Sequence, residues 1–225
     1  MSSPETVKVV LLGQAGVGKT CIISKFITGD FNPNTISSMS AQYISKNMTF
    51  QDKVIKFDIW DTAGQERFRA LAKIFYKDAK VICLCYDITS KESFNELKDY
   101  WYEKQTKLNA NGDPIFAVVA NKNDLYQNAQ VKDEEGKAFA KSINGIFQST
   151  SAKSDSGITS LFENIGKRYF DPNFDSNEEE NKEKLEYEKK KTEKALKKTQ
   201  PQTQNRGVKL EASKSNNSQK KKGCC

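Results

Sequence analysis

The chain has 225 residues, 36% hydrophobic and 29% charged, with a formal net charge of +7 and no histidine. That length and apolar fraction suit one domain with its own core plus an appendage, and exclude a chain disordered throughout. Five cysteines without an apolar N-terminal segment give no disulfide framework and no secretory signal, and no stretch is long enough to span a bilayer, so a reducing cytosolic setting is expected and any membrane contact must come from an anchor.

Val7 to Leu12 is an apolar run that reads as a buried strand, and Lys19 to about Thr28 reads as the helix that follows a Gly-rich turn. Between them, Gly13-Gln14-Ala15-Gly16-Val17-Gly18-Lys19-Thr20 matches the P-loop pattern G-x-x-x-x-G-K-[ST]. The glycines let the backbone wrap a phosphate chain and turn its N–H groups inward. Lys19 reaches the terminal phosphates, and the Thr20 hydroxyl can ligate Mg²⁺.

Tyr43 to Phe50 and Val54 to Trp60 read as neighbouring strands of a hairpin turning near Asp52, and Val81 to Tyr86 as another buried strand. A helix is predicted from about Lys91 to Leu108, then a strand over Ile115 to Ala120, a helix over about Val131 to Ser142, a short strand near Ile146 to Gln148, and an amphipathic helix from about Gly157 to Tyr169. This alternation implies an α/β fold whose mostly parallel, six-stranded sheet has helices on both faces. Cys83 and Cys85 fall on a strand and are expected to be small core residues; no third and fourth ligand accompanies them to make a metal site.

After Asp171-Pro172 the composition turns to Glu, Lys, Asn, Gln and Ser, so residues 1–170 are read as the domain and 171–225 as a charged tail. Glu180 with Lys184 and Glu186 with Lys190 would support a solvated helix between residues 178 and 198, with disorder beyond Thr199. The tail carries +4 of the formal charge. The folded part has no aromatic-interleaved basic patch, so a membrane surface is the expected partner and nucleic acid is not.

A P-loop alone does not choose between ATP and GTP. Asn121-Lys122-Asn123-Asp124 follows the Ile115 to Ala120 strand, at the strand ends where open α/β sheets bind ligands. A carboxylate at Asp124 can accept hydrogen bonds from the ring N–H and the exocyclic amine of guanine. Adenine offers no matching pair, at a cost of about 1–3 kcal/mol for each buried acceptor left unpaired.

With Asp61-Thr62-Ala63-Gly64-Gln65 and Ser151-Ala152-Lys153 added, residues 7 to 170 resemble the Ras superfamily, with all five family motifs in order. The resemblance implies GTP or GDP as bound nucleotide and Mg²⁺ as cofactor. It implies that Asn121, Lys122, Asp124, Ser151, Ala152 and Lys153 hold guanine with Phe31 against its ring, that Asp61 holds the Mg²⁺ shell through water, that Gly64 senses the γ-phosphate, and that Gln65 orients the attacking water. Slow hydrolysis accelerated by a partner is expected.

Three positions depart from the family pattern. The first-switch threonine is replaced by Ser38, eighteen residues after Thr20 and twenty-seven before Gln65; Thr35 would need a three-residue shift in register. Ala15 stands where Ras proteins carry glycine, which is expected to slow hydrolysis. Ser149-Thr150 replaces the usual Glu-Thr, a change expected to matter little.

Trp60 to Phe68, Tyr86-Asp87-Ile88-Thr89 and the ending Lys220-Lys221-Lys222-Gly223-Cys224-Cys225 resemble the Rab branch, and the Ala-Gln-Tyr segment loosely resembles endosomal Rabs. Paired terminal cysteines imply double geranylgeranylation of Cys224 and Cys225; two chains plus basic residues anchor stably where one chain is marginal. Tyr43, Trp60 and Phe75 would form the effector-reading surface, although core packing is an equal role for Trp60. The implied partners are an exchange factor, a GTPase-activating protein, a dissociation inhibitor, a prenylation escort and effectors, on the cytoplasmic face of a transport membrane with a GDP-bound cytosolic pool. A GTP-locked scaffold without turnover is the alternative.

Overall fold

A computed structural model describes residues 4–34, 42–50, 53–62, 74–107 and 112–175. Thr35, Ser38, Asp52, Gly64, Gln65, the 178–198 segment, Cys224 and Cys225 lie outside the described residues. The described fold belongs to the first of two units, residues 1–183, and the second, residues 184–225, lies wholly outside them.

Among the described residues six strands form one sheet: β1 (Glu5–Leu12), β2 (Gln42–Phe50), β3 (Lys53–Asp61), β4 (Val81–Asp87), β5 (Ile115–Asn121) and β6 (Ile146–Ser149). Their order is β2-β3-β1-β4-β5-β6. Only the β2–β3 hairpin is antiparallel; every other neighbouring pair is parallel. The sheet thus grows outward from β1 in both directions, and the chain's change of side opens a crevice at the carboxyl ends of β1 and β4, where ligands bind in such sheets.

Alternation of side chains on β1 divides the core in two. Val7, Val9 and Leu11 face α1 (Lys19–Thr28) and the C-terminal helix Ile158–Phe170, through Ile22, Phe26, Leu161 and Phe162. Val10 and Leu12 face the opposite layer, with Phe94, Leu97, Trp101 and Ala140. Burial on both faces explains why the parallel strands read as continuous apolar runs. Cys83 and Cys85 are fully buried in the first cluster.

The predicted helix from Lys91 to Leu108 forms differently. It begins as α2 (Lys91–Glu96), whose N-cap Ser90 accepts a hydrogen bond from the Ser93 N–H, and continues as a π-helix over Leu97–Thr106. The wider turn brings side chains five apart together: Trp101 Nε1 donates to Glu96 Oε1 at 3.0 Å, Gln105 Nε2 to the Tyr100 hydroxyl at 2.9 Å, and Thr106 Oγ1 to the Trp101 carbonyl at 3.0 Å. A helix α3 (Asp133–Ser142) precedes β6, and α4 (Ile158–Phe170) closes the fold. A 3₁₀ turn at Asn123–Asn128, read from sequence only as a polar turn, follows β5.

Candidate functional site

The loop after β1 lies directly on β4. Gly13 has φ 147°, and a Cβ there would overlap the Cys85 carbonyl oxygen, so only glycine lets the chain turn this close to the sheet. Gly18, at φ 97°, caps α1 in the left-handed region, where a Cβ would overlap the Asn121 amide. Lys19 opens α1 and is 5% exposed, with Nζ donating to the Gly13 carbonyl at 2.8 Å and the Gln14 carbonyl at 3.0 Å. Burial pushes its pKa below the ordinary lysine value, opposed by the Asp61 carboxylate. Burial also pushes the Cys85 thiol up to about 12, so it is no thiolate at neutral pH. Ala15 and Gly16 are exposed.

Next to Lys19, the Thr20 hydroxyl donates to Asp61 Oδ2 at 2.7 Å, joining the first turn of α1 to the end of β3. A hydroxyl and a carboxylate in contact beside a phosphate-type loop are hard oxygen donors that suit Mg²⁺. Thr62 donates to the Leu11 carbonyl at 2.6 Å and pins the chain as it leaves β3, a fastening that sequence reasoning did not single out.

At the other end of the crevice, Asn121 Nδ2 donates to the Val17 carbonyl at 2.7 Å and Asn121 Oδ1 accepts from Thr150 Oγ1 at 3.2 Å, both buried. Asn121 therefore ties the P-loop to the loops after β5 and β6. Asp124 Oδ1 accepts from Ser151 Oγ at 2.6 Å, and Ser151 Oγ accepts from the Ser154 N–H at 3.1 Å. Lys153, with its side chain 67% exposed, has its Nζ 4.0 Å from Asp124 Oδ2 and lines the same cleft as Asp124. Gly16, Phe31, Lys122, Asp124 and Ala152 line one cleft of about 300 Å³. Cys21, Pro33 and Leu125 also line it; no motif marks them, and only the folded chain brings them there.

The cleft joins an acceptor carboxylate, Asp124, to Gly16 and Gly18 of the P-loop, and the buried Lys19 ammonium follows directly after Gly18. Such a site fits a ring that presents two donors and carries a polyphosphate. Away from these residues, Tyr43, Trp60 and Phe75 form a continuous aromatic row, with ring centroids 5.3 Å apart for Tyr43–Trp60 and 5.7 Å for Trp60–Phe75. Tyr43 is 49% exposed, whereas Trp60 is half-buried and packs partly on the second core cluster, so it takes part in both settings.

Residues 8–171 match the Ras family. Ras-related protein Rab-22A of Homo sapiens is 41% identical over 172 residues, covering 76% of this chain and 86% of that protein. Ras-related protein RabJ of Dictyostelium discoideum is 40% identical over 161 residues, 72% of this chain and 62% of that protein. Ras-related protein Rab5A of Oryza sativa subsp. japonica is 38% identical over 161 residues, with shares of 72% and 78%. With a P-loop on β1, an Asn-Lys-x-Asp loop on β5 and these similarities along the same residues, the chain belongs to the Ras family, as a small GTPase of its Rab branch.

Proposed function

We propose that the protein cycles between a GTP-bound state that recruits effectors and a GDP-bound state, and so regulates vesicle or membrane traffic, on endosomal or other transport membranes. The observation that carries the reading is a cleft lined by Asp124, which Ser151 backs, and by Gly16 and Gly18 of the P-loop, with the buried Lys19 and the Thr20–Asp61 pair directly following Gly18.

In this reading the Asp124 carboxylate accepts from the guanine ring N–H and amine, and Ser151 holds it in place. Lys122 and Phe31 flank the base, with Ala152 below it. Lys19 exchanges its bonds to the loop carbonyls for phosphate oxygens, while the loop N–H groups take up the remaining phosphate charge. Thr20 and Ser38, with Asp61 through water, would hold Mg²⁺, which would neutralise phosphate charge. Gln65 orients the attacking water. Phosphoryl transfer depends on positioning and charge stabilisation, so these few groups suffice, at a low intrinsic rate that an activating protein raises.

Tyr43, Trp60 and Phe75 present the effector surface. Geranylgeranyl groups on Cys224 and Cys225 attach the protein to the cytoplasmic face of its membrane, a dissociation inhibitor extracts the GDP form, and an escort and an exchange factor serve the same cycle. No helix among the described residues is long and apolar enough to cross a membrane.

Single-turnover hydrolysis of bound GTP by the purified protein tests the reading. Slow release of phosphate that Gln65→Leu abolishes is the expected result. Tight GTP binding without turnover would establish the locked scaffold, the alternative that Ala15 and Ser38 leave open and Gln65 argues against, and failure to bind either guanine nucleotide would overturn both. Membrane partition of prenylated protein should be lost when Cys224 and Cys225 are both replaced by serine; unchanged partition would overturn the anchor.

A further inference from the structure

Asp87 falls in the Tyr86-Asp87-Ile88-Thr89 segment, which has no nucleotide-binding role assigned above, and all of its polar groups have a partner. It is the last residue of β4, opposite Asn121 in the β4–β5 ladder, and is 8% exposed. Its Oδ1 accepts from the Thr89 N–H and the Thr89 hydroxyl, each at 2.8 Å. Its backbone N–H donates to Ser93 Oγ at 3.1 Å, and its carbonyl accepts from the Ser90 N–H at 3.0 Å. The carboxylate is thereby fixed before its second oxygen is counted. That oxygen, Oδ2, lies 2.6 Å from Lys122 Nζ.

Lys122 needs such a hold. It has φ 66°, a left-handed conformation that costs a residue with a Cβ roughly 1–2 kcal/mol, and it lines the cleft together with Asp124 and Ala152. A lysine stem has free rotamers, so a wall made from it is only as firm as the anchor at its tip. The geometry points to Asp87 as a positioning residue for the base end of the nucleotide site: it clamps the Lys122 ammonium so that the stem stands as a fixed wall for the guanine ring. Asp87 acts through Lys122 and touches no nucleotide. The inference rests on the guanine-nucleotide reading of the cleft.

A double-mutant cycle on the full chain tests it, with the dissociation rate of a fluorescent GDP as readout and thermal melting measured alongside. Asp87→Asn removes the charge and leaves one oxygen for two sets of donors. It should speed GDP release about tenfold, the size expected for losing a hydrogen bond to a charged group. Lys122→Met keeps an unbranched stem and loses the ammonium. In that background Asp87→Asn should change the rate less than twofold, even if melting falls further, because a merely structural Asp87 would act equally in both backgrounds. Equal effects overturn the inference, as does an unchanged rate in Asp87→Asn alone.

Should Asp87→Asn not fold, Thr89→Val takes its place in the cycle, since it frees Oδ1 of one donor and loosens the carboxylate without deleting it. A two- to fivefold faster release confined to the Lys122 background supports the clamp, and equal or absent effects overturn it. A wild-type protein that binds no GDP would overturn the function reading as well, whereas binding with additive effects overturns the clamp alone.

Discussion

Asn121→Ala should be the most informative single substitution in the site. The side chain is 2% exposed and bridges two buried partners, the Val17 carbonyl at 2.7 Å and the Thr150 hydroxyl at 3.2 Å. A buried polar group deprived of its partner costs about 1–3 kcal/mol, which gives about 2–6 kcal/mol for the pair. Thr150 keeps a longer contact to the Ala120 carbonyl at 3.5 Å, so the lower half applies, about 2–4 kcal/mol. Against a typical domain stability of roughly 5–15 kcal/mol, the variant stays folded but measurably weakened. Urea unfolding with and without saturating GDP reads it: the free protein should lose the stated amount, and the stabilisation added by GDP should also shrink, because the bridge joins the phosphate and base ends. A loss under 0.5 kcal/mol, or an unchanged GDP increment, would refute the bridge. Asn123→Ala serves as the control, since its contacts to Ser149 and Ser156 are both 3.3 Å long.

Gly18→Ala should cost about 1–2 kcal/mol for the left-handed backbone and more for the overlap with the Asn121 amide. In the Asn121→Ala background only the first part should remain, a non-additivity read by the same unfolding curves. Gly13→Ala pushes a Cβ into backbone, the Cys85 carbonyl, which has no rotamer to escape into, so a loss at or above the usual 1–3 kcal/mol of overpacking is expected by thermal melting. Lys19 carries a pH signature. Its pKa in the free protein lies below the 10.5 of the unfolded chain, so between the two values the unfolded chain holds the extra proton and stability rises with pH. A bound polyphosphate favours the charged lysine and raises its pKa, so in the same window affinity should fall with pH and binding should take up a proton. Calorimetry in alkaline buffers of different ionisation enthalpy measures that uptake, and Lys19→Met should abolish it.

The order of strands and helices, the P-loop and the guanine loop were legible in the amino-acid sequence. These depend on short-range spacing: period-two or continuous apolar runs for strands, and glycine placement where the backbone must turn. It placed β1, β4 and β5 to within a residue or two because burial on both faces leaves an unbroken apolar run. The π-helix at Leu97–Thr106 was not legible, since its apolar spacing differs little from that of an α-helix and contacts such as Trp101 with Glu96 select it. Nor was the role of Thr62, Thr150 or Asp87, each an ordinary polar residue whose partner lies in another segment.

Which motifs share a cleft follows from strand order and not from spacing along the chain. Val17 and Asn121 are 104 positions apart and meet because the sheet places β1 and β5 on either side of β4, with their carboxyl ends at one edge. Likewise the aromatic row depends on the β2–β3 register that sets Tyr43 opposite Trp60. Local spacing encodes what each segment can bind; strand order and register decide which segments act on the same molecule.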